Sequence, residues 1–155
     1  MQTIRKINDE LAIAGQVSSE ELAQVVQQGF CSVLNLRSPG EHNFSVAEQL
    51  EAETMGLQYL NLPLELSEIS TERATLILQQ MYRLPKPILI HCDTAIRAAA
   101  IALVYIAVQQ GATLEQALQQ AQGLGLFTPL TQVYRRSPVE RGGGDEAEPL
   151  PRIGI

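Results

Sequence analysis

The stretch from Pro87 to Ala98 constrains this chain most. A short apolar run, Ile88-Leu89-Ile90, ends at His91 and Cys92. Arg97 follows five positions after the cysteine, and an apolar helical pattern runs on from Ala98. A buried strand that delivers a cysteine to a tight loop, closed by an arginine at a helix start, makes an anion site containing a nucleophile. Loop N–H groups and a helix N-terminus favour negative charge there. The same field favours thiolate over thiol. Arg97 adds a planar fork of donors matched to phosphate or sulfate oxygens. A free cysteine at a strand end is often only an apolar core residue. Here strand, spacing, arginine and helix agree on a site.

The chain has 155 residues, enough for one compact domain with a sizeable core. Its formal net charge of -6 argues against nucleic acid or an anionic membrane as partner, so an anionic substrate needs a local positive pocket. Two cysteines do not make a disulfide framework. The first residues are polar and mixed rather than a signal peptide. The longest apolar run, Ala98 to Val108, falls short of the roughly 20 residues that span a bilayer and reads as a buried helix. A cytoplasmic location is the expectation, and a reducing compartment suits a reactive thiol. Two dispersed histidines and two cysteines give no metal-site pattern, and no cofactor is expected.

Taken in order, Leu11 to Gly15 predicts a short strand. Ser18 with Glu21 forms a capping box for a helix carrying Leu22, Val25 and Val26, ending at Gly29. Cys31 to Leu36 predicts a buried parallel strand, broken by Arg37-Ser38-Pro39-Gly40. Ser45 with Glu48 repeats the capping-box pattern before a helix to about Met55. Leu57 to Leu64 predicts a third strand, followed by the polar loop Glu65 to Glu68. Ser70 or Thr71 caps a helix with Ala74, Ile77, Leu78, Met81 and Tyr82 on one face. Pro85 and Pro87 end it before the strand Ile88 to His91. A helix to about Gln110 follows, then one from Leu114 to Gln122 opened by Thr113 and Gln116, and a short last helix over 128–136. Glycine and proline dominate from Ser137. The division expected is one domain over 1–136 and a flexible tail over 137–155.

Strands alternating with helices predict an α/β domain: a mostly parallel sheet of four to five strands covered by helices on both faces. Such sheets place their sites beyond the carboxyl ends of the strands. Cys92 lies at such an end. So do the loops opening at Arg37 and Glu65, if their strands are parallel neighbours of the cysteine strand.

A cysteine and arginine in this setting resemble the cysteine-dependent phosphatases and the rhodanese-type sulfurtransferases. The segment Arg5-Lys6-Ile7 through Ala14-Gly15-Gln16, Ser18-Ser19-Glu20-Glu21-Leu22, Gly29-Phe30 and the strand into Leu36-Arg37-Ser38-Pro39-Gly40-Glu41 resembles the phosphatase-like domain of beta-lactamase hydrolase-like proteins, over about residues 4–110. That resemblance implies a dual-specificity-phosphatase-like fold, Cys92 as nucleophile and Arg97 as oxyanion binder. It implies a phosphate-binding loop of His91, Asp93, Thr94, Ala95, Ile96 and Ala98 around them, with His91 bonded behind the loop. The residue alone also allows a packed strand-end histidine.

The loop departs from the family in three ways. Four residues rather than five separate Cys92 from Arg97, which is the sulfurtransferase length. The usual loop glycine is replaced, at Ala95, which limits positive φ and close backbone approach to the anion. Ala98 stands where a hydroxyl residue often follows the arginine. Asp93 is read as pointing outward, since inward it would repel an anion.

Arg37, Glu41 and His42 form the expected substrate rim; for Arg37 and His42 a solvated loop position is the simpler reading. Cys31 begins its strand while Cys92 ends another, too far apart for a disulfide. The function expected is a cytoplasmic cysteine-based phosphatase acting on a phosphorylated small molecule or phosphoprotein, slow because its loop is atypical. Glu65 or Glu68 would serve as the acid, because Asp9, Asp93 and Asp145 are poorly placed. Two alternatives stay open: a sulfurtransferase forming a persulfide on Cys92, and a degenerate anion- or partner-binding module.

Overall fold

The computed structural model describes residues 4–125 except Leu66 and Glu68. The expected helix over 128–136 and the tail over 137–155 lie outside the described residues. Five strands form one sheet: β1 (Arg5–Lys6), β2 (Leu11–Ala14), β3 (Ser32–Asn35), β4 (Gln58–Asn61) and β5 (Ile88–His91). Their order is β1-β2-β5-β3-β4. All neighbours are parallel except β1 with β2, which is antiparallel. The helices are α1 (Ser19–Gln27), α2 (Glu48–Thr54), α3 (Thr71–Arg83), α4 (Ile96–Gln109) and α5 (Leu114–Gly123).

The period of two along each strand divides the core. Leu11, Ile13, Leu34, Ile88 and Ile90 face α3 and α4, meeting Ile77, Met81, Ile101 and Tyr105. Ala12, Ala14, Val33 and Leu89 face the other way, against Leu22 and Val25 of α1 and Ala52 of α2. Helices therefore cover both faces, as the alternating pattern predicts. Each large apolar side chain buried this way contributes about 1.5–3 kcal/mol. α5 packs on α4 through small residues, Ala100, Ala117 and Ala121 among them, which let two backbones come close.

The capping boxes at Ser18/Glu21 and Thr113/Gln116 are both present, and Ser70 caps α3. The one predicted at Ser45/Glu48 is not. α2 starts from Ala47 without a side-chain cap. The reason is that the Glu48 carboxylate turns into the protein, where it is bonded elsewhere. β1 escapes sequence reading because it is two exposed charged residues with no alternation. β4 is shorter than predicted, and Tyr82, expected on the buried face of α3, is 72% exposed. No helix among the described residues is long and apolar enough to cross a membrane.

The register puts Ala14, His91, Asn35 and Asn61 in one row at the carboxyl edge. The next residues on these strands lead into the loops that carry the candidate site.

Candidate active site

β5 is held on both sides by β2 and β3, so it delivers Cys92 from the centre of the sheet. The Cys92 N–H donates to Ala14 O at 3.2 Å, and Leu36 N–H donates to His91 O at 2.9 Å. Cys92 is fully buried. The Ala98 N–H, in the first turn of α4, donates to Cys92 Sγ at 3.4 Å. That turn has no side-chain cap, because its N-cap is Ala95. The Ala98 amide, one of the donors a helix start leaves without an intrahelical partner, is thus taken up by the sulfur.

Ala95 has φ 76°. The sequence expectation that alanine would limit positive φ is corrected: the loop turns left-handed here with alanine in place. A non-glycine residue in that region costs roughly 1–2 kcal/mol, which the surrounding strand and helix sustain. Asp93, Thr94 and Ile96 are the exposed side chains of the loop. The Asp93 carbonyl accepts Gln16 N–H at 3.2 Å.

Arg97 is oriented by Glu41. Nη1 donates to Oε2 at 2.7 Å and Nη2 to Oε1 at 2.9 Å, while Nη1 also faces the carbonyls of Leu36 and Leu64. Glu41 further accepts from Arg37 Nε at 3.1 Å and from the Ser38 N–H at 2.8 Å. The Arg97 bond, helped by Ser38 and Arg37 against burial, holds the Glu41 carboxyl well below the usual range, at about 2. Arg97 is raised in turn, first by the Glu41 bond, with Glu41, Cys92 and Asp93 adding through space. Glu41 is therefore a charged brace and not a proton donor at neutral pH.

Arg37 was expected on the rim as a solvated side chain. It is 2% exposed, a correction with a clear cause. Besides Glu41, its guanidinium donates to Gln16 Oε1 at 2.6 Å, His42 O at 2.6 Å and Asn43 O at 3.3 Å. A buried charge must be paired and bonded in this way. It folds the loop after β3 over the carboxyl edge, leaving the His42 side chain exposed. Of the candidate acids, Glu65 is exposed and directly follows Leu64, whose carbonyl faces Arg97. Glu68 lies outside the described residues. Asp9 stands before β2, at the opposite edge, in an exposed pair with Lys6. Cys31 N–H donates to Pro87 O, at the start of β5. The strand between it and Cys92 spans about 16 Å, and both thiols are free.

His91 is buried behind the loop. Its Nδ1 lies 3.2 Å from Cys92 O and its Nε2 lies 2.5 Å from Glu48 Oε2. Glu48, Gln16, Asn35 and Tyr59 are site-supporting residues that sequence reasoning missed. The available signal was Asn35, a polar residue between Leu34 and Leu36 in the predicted strand.

This is the architecture of dual-specificity and protein-tyrosine-phosphatase-like proteins. A DUF442 protein from Shewanella putrefaciens CN-32 superposes with a TM-score of 0.66 at 21% identity, covering 76% of each chain. TpbA from P. aeruginosa, solved with phosphotyrosine, gives 0.62 at 16% identity over 84% of this chain and 77% of its own. The chain belongs to the family described as beta-lactamase hydrolase-like protein, phosphatase-like domain, which matches residues 3–122. Beta-lactamase hydrolase-like proteins from two Xylella fastidiosa strains are 30% identical over 95 residues, 59% of this chain. The match spans only 22% of the length of those relatives.

Proposed function

We propose that this domain is a cysteine-based phosphatase acting on a phosphorylated small molecule or phosphoprotein. The observation that carries the reading is the convergence on one sulfur. Cys92 sits at the carboxyl end of the central strand, receives an N–H from the start of α4, and shares its loop with an arginine braced by Glu41. Phosphotyrosine bound to TpbA, on the same fold, supports a phosphorylated substrate.

In this reading the Cys92 thiolate attacks phosphorus in line and the phosphorus–oxygen bond to the leaving group breaks. Arg97 and the loop amides stabilise the equatorial oxygens. The leaving oxygen takes a proton from Glu65 or Glu68. Water then cleaves the cysteinyl-phosphate, releasing phosphate and restoring the thiol. A placed acid contributes about 10²–10⁴ in rate. No aspartate among the described residues is well placed for that step, so hydrolysis is expected to be slow and best with good leaving groups. Glu65→Gln and Glu68→Gln, each assayed with a poor and a good leaving group, identify the acid by selective loss on the poor one.

The four-residue loop favours a second reading, sulfur transfer. There the thiolate takes the outer sulfur of thiosulfate, forming a persulfide and releasing sulfite, with no acid required. Aryl phosphate and thiosulfate turnover on one preparation separates the two. Robust thiosulfate turnover without phosphate release would replace the phosphatase by the sulfurtransferase. Tungstate binding with neither turnover would leave an anion-binding module.

A further inference from the structure

Behind the cysteine loop, four buried polar side chains and the part-buried Gln16 meet from different parts of the chain. Glu48 opens α2 and is 2% exposed; His91 is fully buried; Asn35 and Tyr59 come from β3 and β4; Gln16 follows β2. The direction of the bonds among them can be worked out atom by atom.

Asn35 Oδ1 accepts the Arg37 N–H at 2.9 Å, which fixes its amide. Its Nδ2 therefore donates to the Tyr59 hydroxyl oxygen at 2.9 Å. That leaves the Tyr59 proton for Glu48 Oε2, at 2.8 Å. Gln16 Oε1 accepts from Arg37, so its Nε2 donates to Glu48 Oε1 at 2.6 Å. His91 Nε2 is the third group on the same carboxyl. The Tyr59 hydroxyl and the Gln16 amide both donate to this carboxyl. Burial opposes its charge, but the bonds from His91, Tyr59 and Gln16 outweigh burial and hold its pKa below the ordinary value.

His91 is then constrained from both sides. Nε2 bonds to Glu48, and Nδ1 faces the Cys92 carbonyl, which can only accept. A partner at each ring nitrogen holds the imidazole in one orientation. In a trans peptide the carbonyl and the following N–H point in opposite directions. Holding the Cys92 carbonyl back toward His91 therefore aims the Asp93 N–H away from the ring.

We propose that Glu48 is a positioning residue for Cys92: it fixes the orientation of His91, which holds the Cys92 carbonyl and so sets the nucleophile loop. The proposal rests on the reading of Cys92 as the reactive thiol. The polar chain also runs on from Glu48 through Gln16, Arg37 and Glu41 to Arg97. The two groups that would meet the substrate are thus held by one continuous framework. The charged and titratable groups around this framework are Glu48 from α2, Tyr59 from β4, His91 from β5, Asp93 from the loop, Arg97 from α4, and Arg37 and Glu41 from the loop after β3.

The test is the pH profile of iodoacetamide alkylation, followed separately at Cys92 and Cys31 by peptide mass, with thermal melts on each protein. Glu48→Gln keeps the size of the side chain and removes its charge. With His91 held less firmly the loop amides are aimed less well at the sulfur, and the Cys92 midpoint is expected to move up by about one pH unit. Tyr59→Phe removes a bond to the same carboxylate but leaves the His91 contact, so it is expected to lower the melting temperature without moving the midpoint. If Glu48→Gln gives no folded protein, His91→Gln carries the same expectation, since the route runs through that ring. An unchanged Cys92 midpoint in a folded Glu48→Gln protein with a lower melting temperature would make Glu48 merely structural and overturn the proposal. Equal shifts in Glu48→Gln and Tyr59→Phe would overturn it too. If the unaltered protein alkylates Cys92 with a midpoint no lower than that of Cys31, the reading of Cys92 itself fails, which is a distinct result.

Discussion

At Ala95 the loop carries a conformation that glycine adopts freely and alanine does not, at φ 76°. Ala95→Gly relieves the left-handed strain but lets the unfolded chain sample more states. Net stabilisation of about 0.5–1 kcal/mol is expected, read as a higher melting temperature. Tungstate affinity should change little, because the backbone already follows the required turn. A large gain in affinity would show that the alanine methyl obstructs the anion. Cys92 raises a related point. It is fully buried whereas Cys31 is partly exposed, so access alone would favour labelling of Cys31. Faster labelling of Cys92 below pH 8 would therefore report reactivity, not exposure.

At the scale of elements, the cysteine loop is seated against the end of β2. A Cβ added at Gly15 would lie 2.7 Å from the Asp93 carbonyl oxygen, a backbone atom that cannot swing aside. Gly15→Ala is expected to cost about 1–3 kcal/mol and to weaken tungstate binding, because either the β2 end or the loop must shift. A melt and a titration on the same variant check it; wild-type values for both would mean that the loop yields freely. Much of this arrangement was legible in the sequence. The strands carrying Leu11 to Ala14, Ser32 to Asn35 and Ile88 to His91 are short apolar runs bounded by glycine, proline or polar residues. The helix starts at Ser18 and Thr113 have reciprocal caps. What was hidden is long-range. Arg37 and Glu48 look like ordinary loop and capping residues, and only the folded chain shows that Glu48 is buried against His91, 43 positions on, and Arg37 by Gln16 and the loop it gathers around itself. Ion pairs of that kind leave no periodic trace. Glu41 was noticed as a rim residue, but its grip on Arg97, 56 positions on, has no local signature.

At the scale of the whole molecule, the framework makes acid stability predictable in sign. Glu41 and Glu48 both have lower pKa values in the folded state than ordinary carboxyls. The folded state therefore binds their protons less readily than the unfolded state, and each contributes stability that is fully present above the ordinary carboxylate pKa. For Glu41 that contribution is lost as pH falls from the ordinary 4.5 toward about 2. Melting temperature should decline on acidification through this window, and Glu41→Gln should flatten the decline. An identical pH dependence in that variant would contradict the assignment of Glu41 as a charged brace. The same framework places the arginine, the thiol and the start of α4 at one edge of the sheet, which is the physical basis for reading the domain as an enzyme.

The measurement that tests this reading most directly is aryl phosphate turnover by the unaltered protein and by Cys92→Ser, with folding of both verified by thermal melts. The substitution changes one atom in a buried position and leaves the strand, loop and helix in place. Slow phosphate release by the unaltered protein and none by Cys92→Ser is the predicted result. Equal phosphate release by the two would contradict the assignment of Cys92 as the nucleophile.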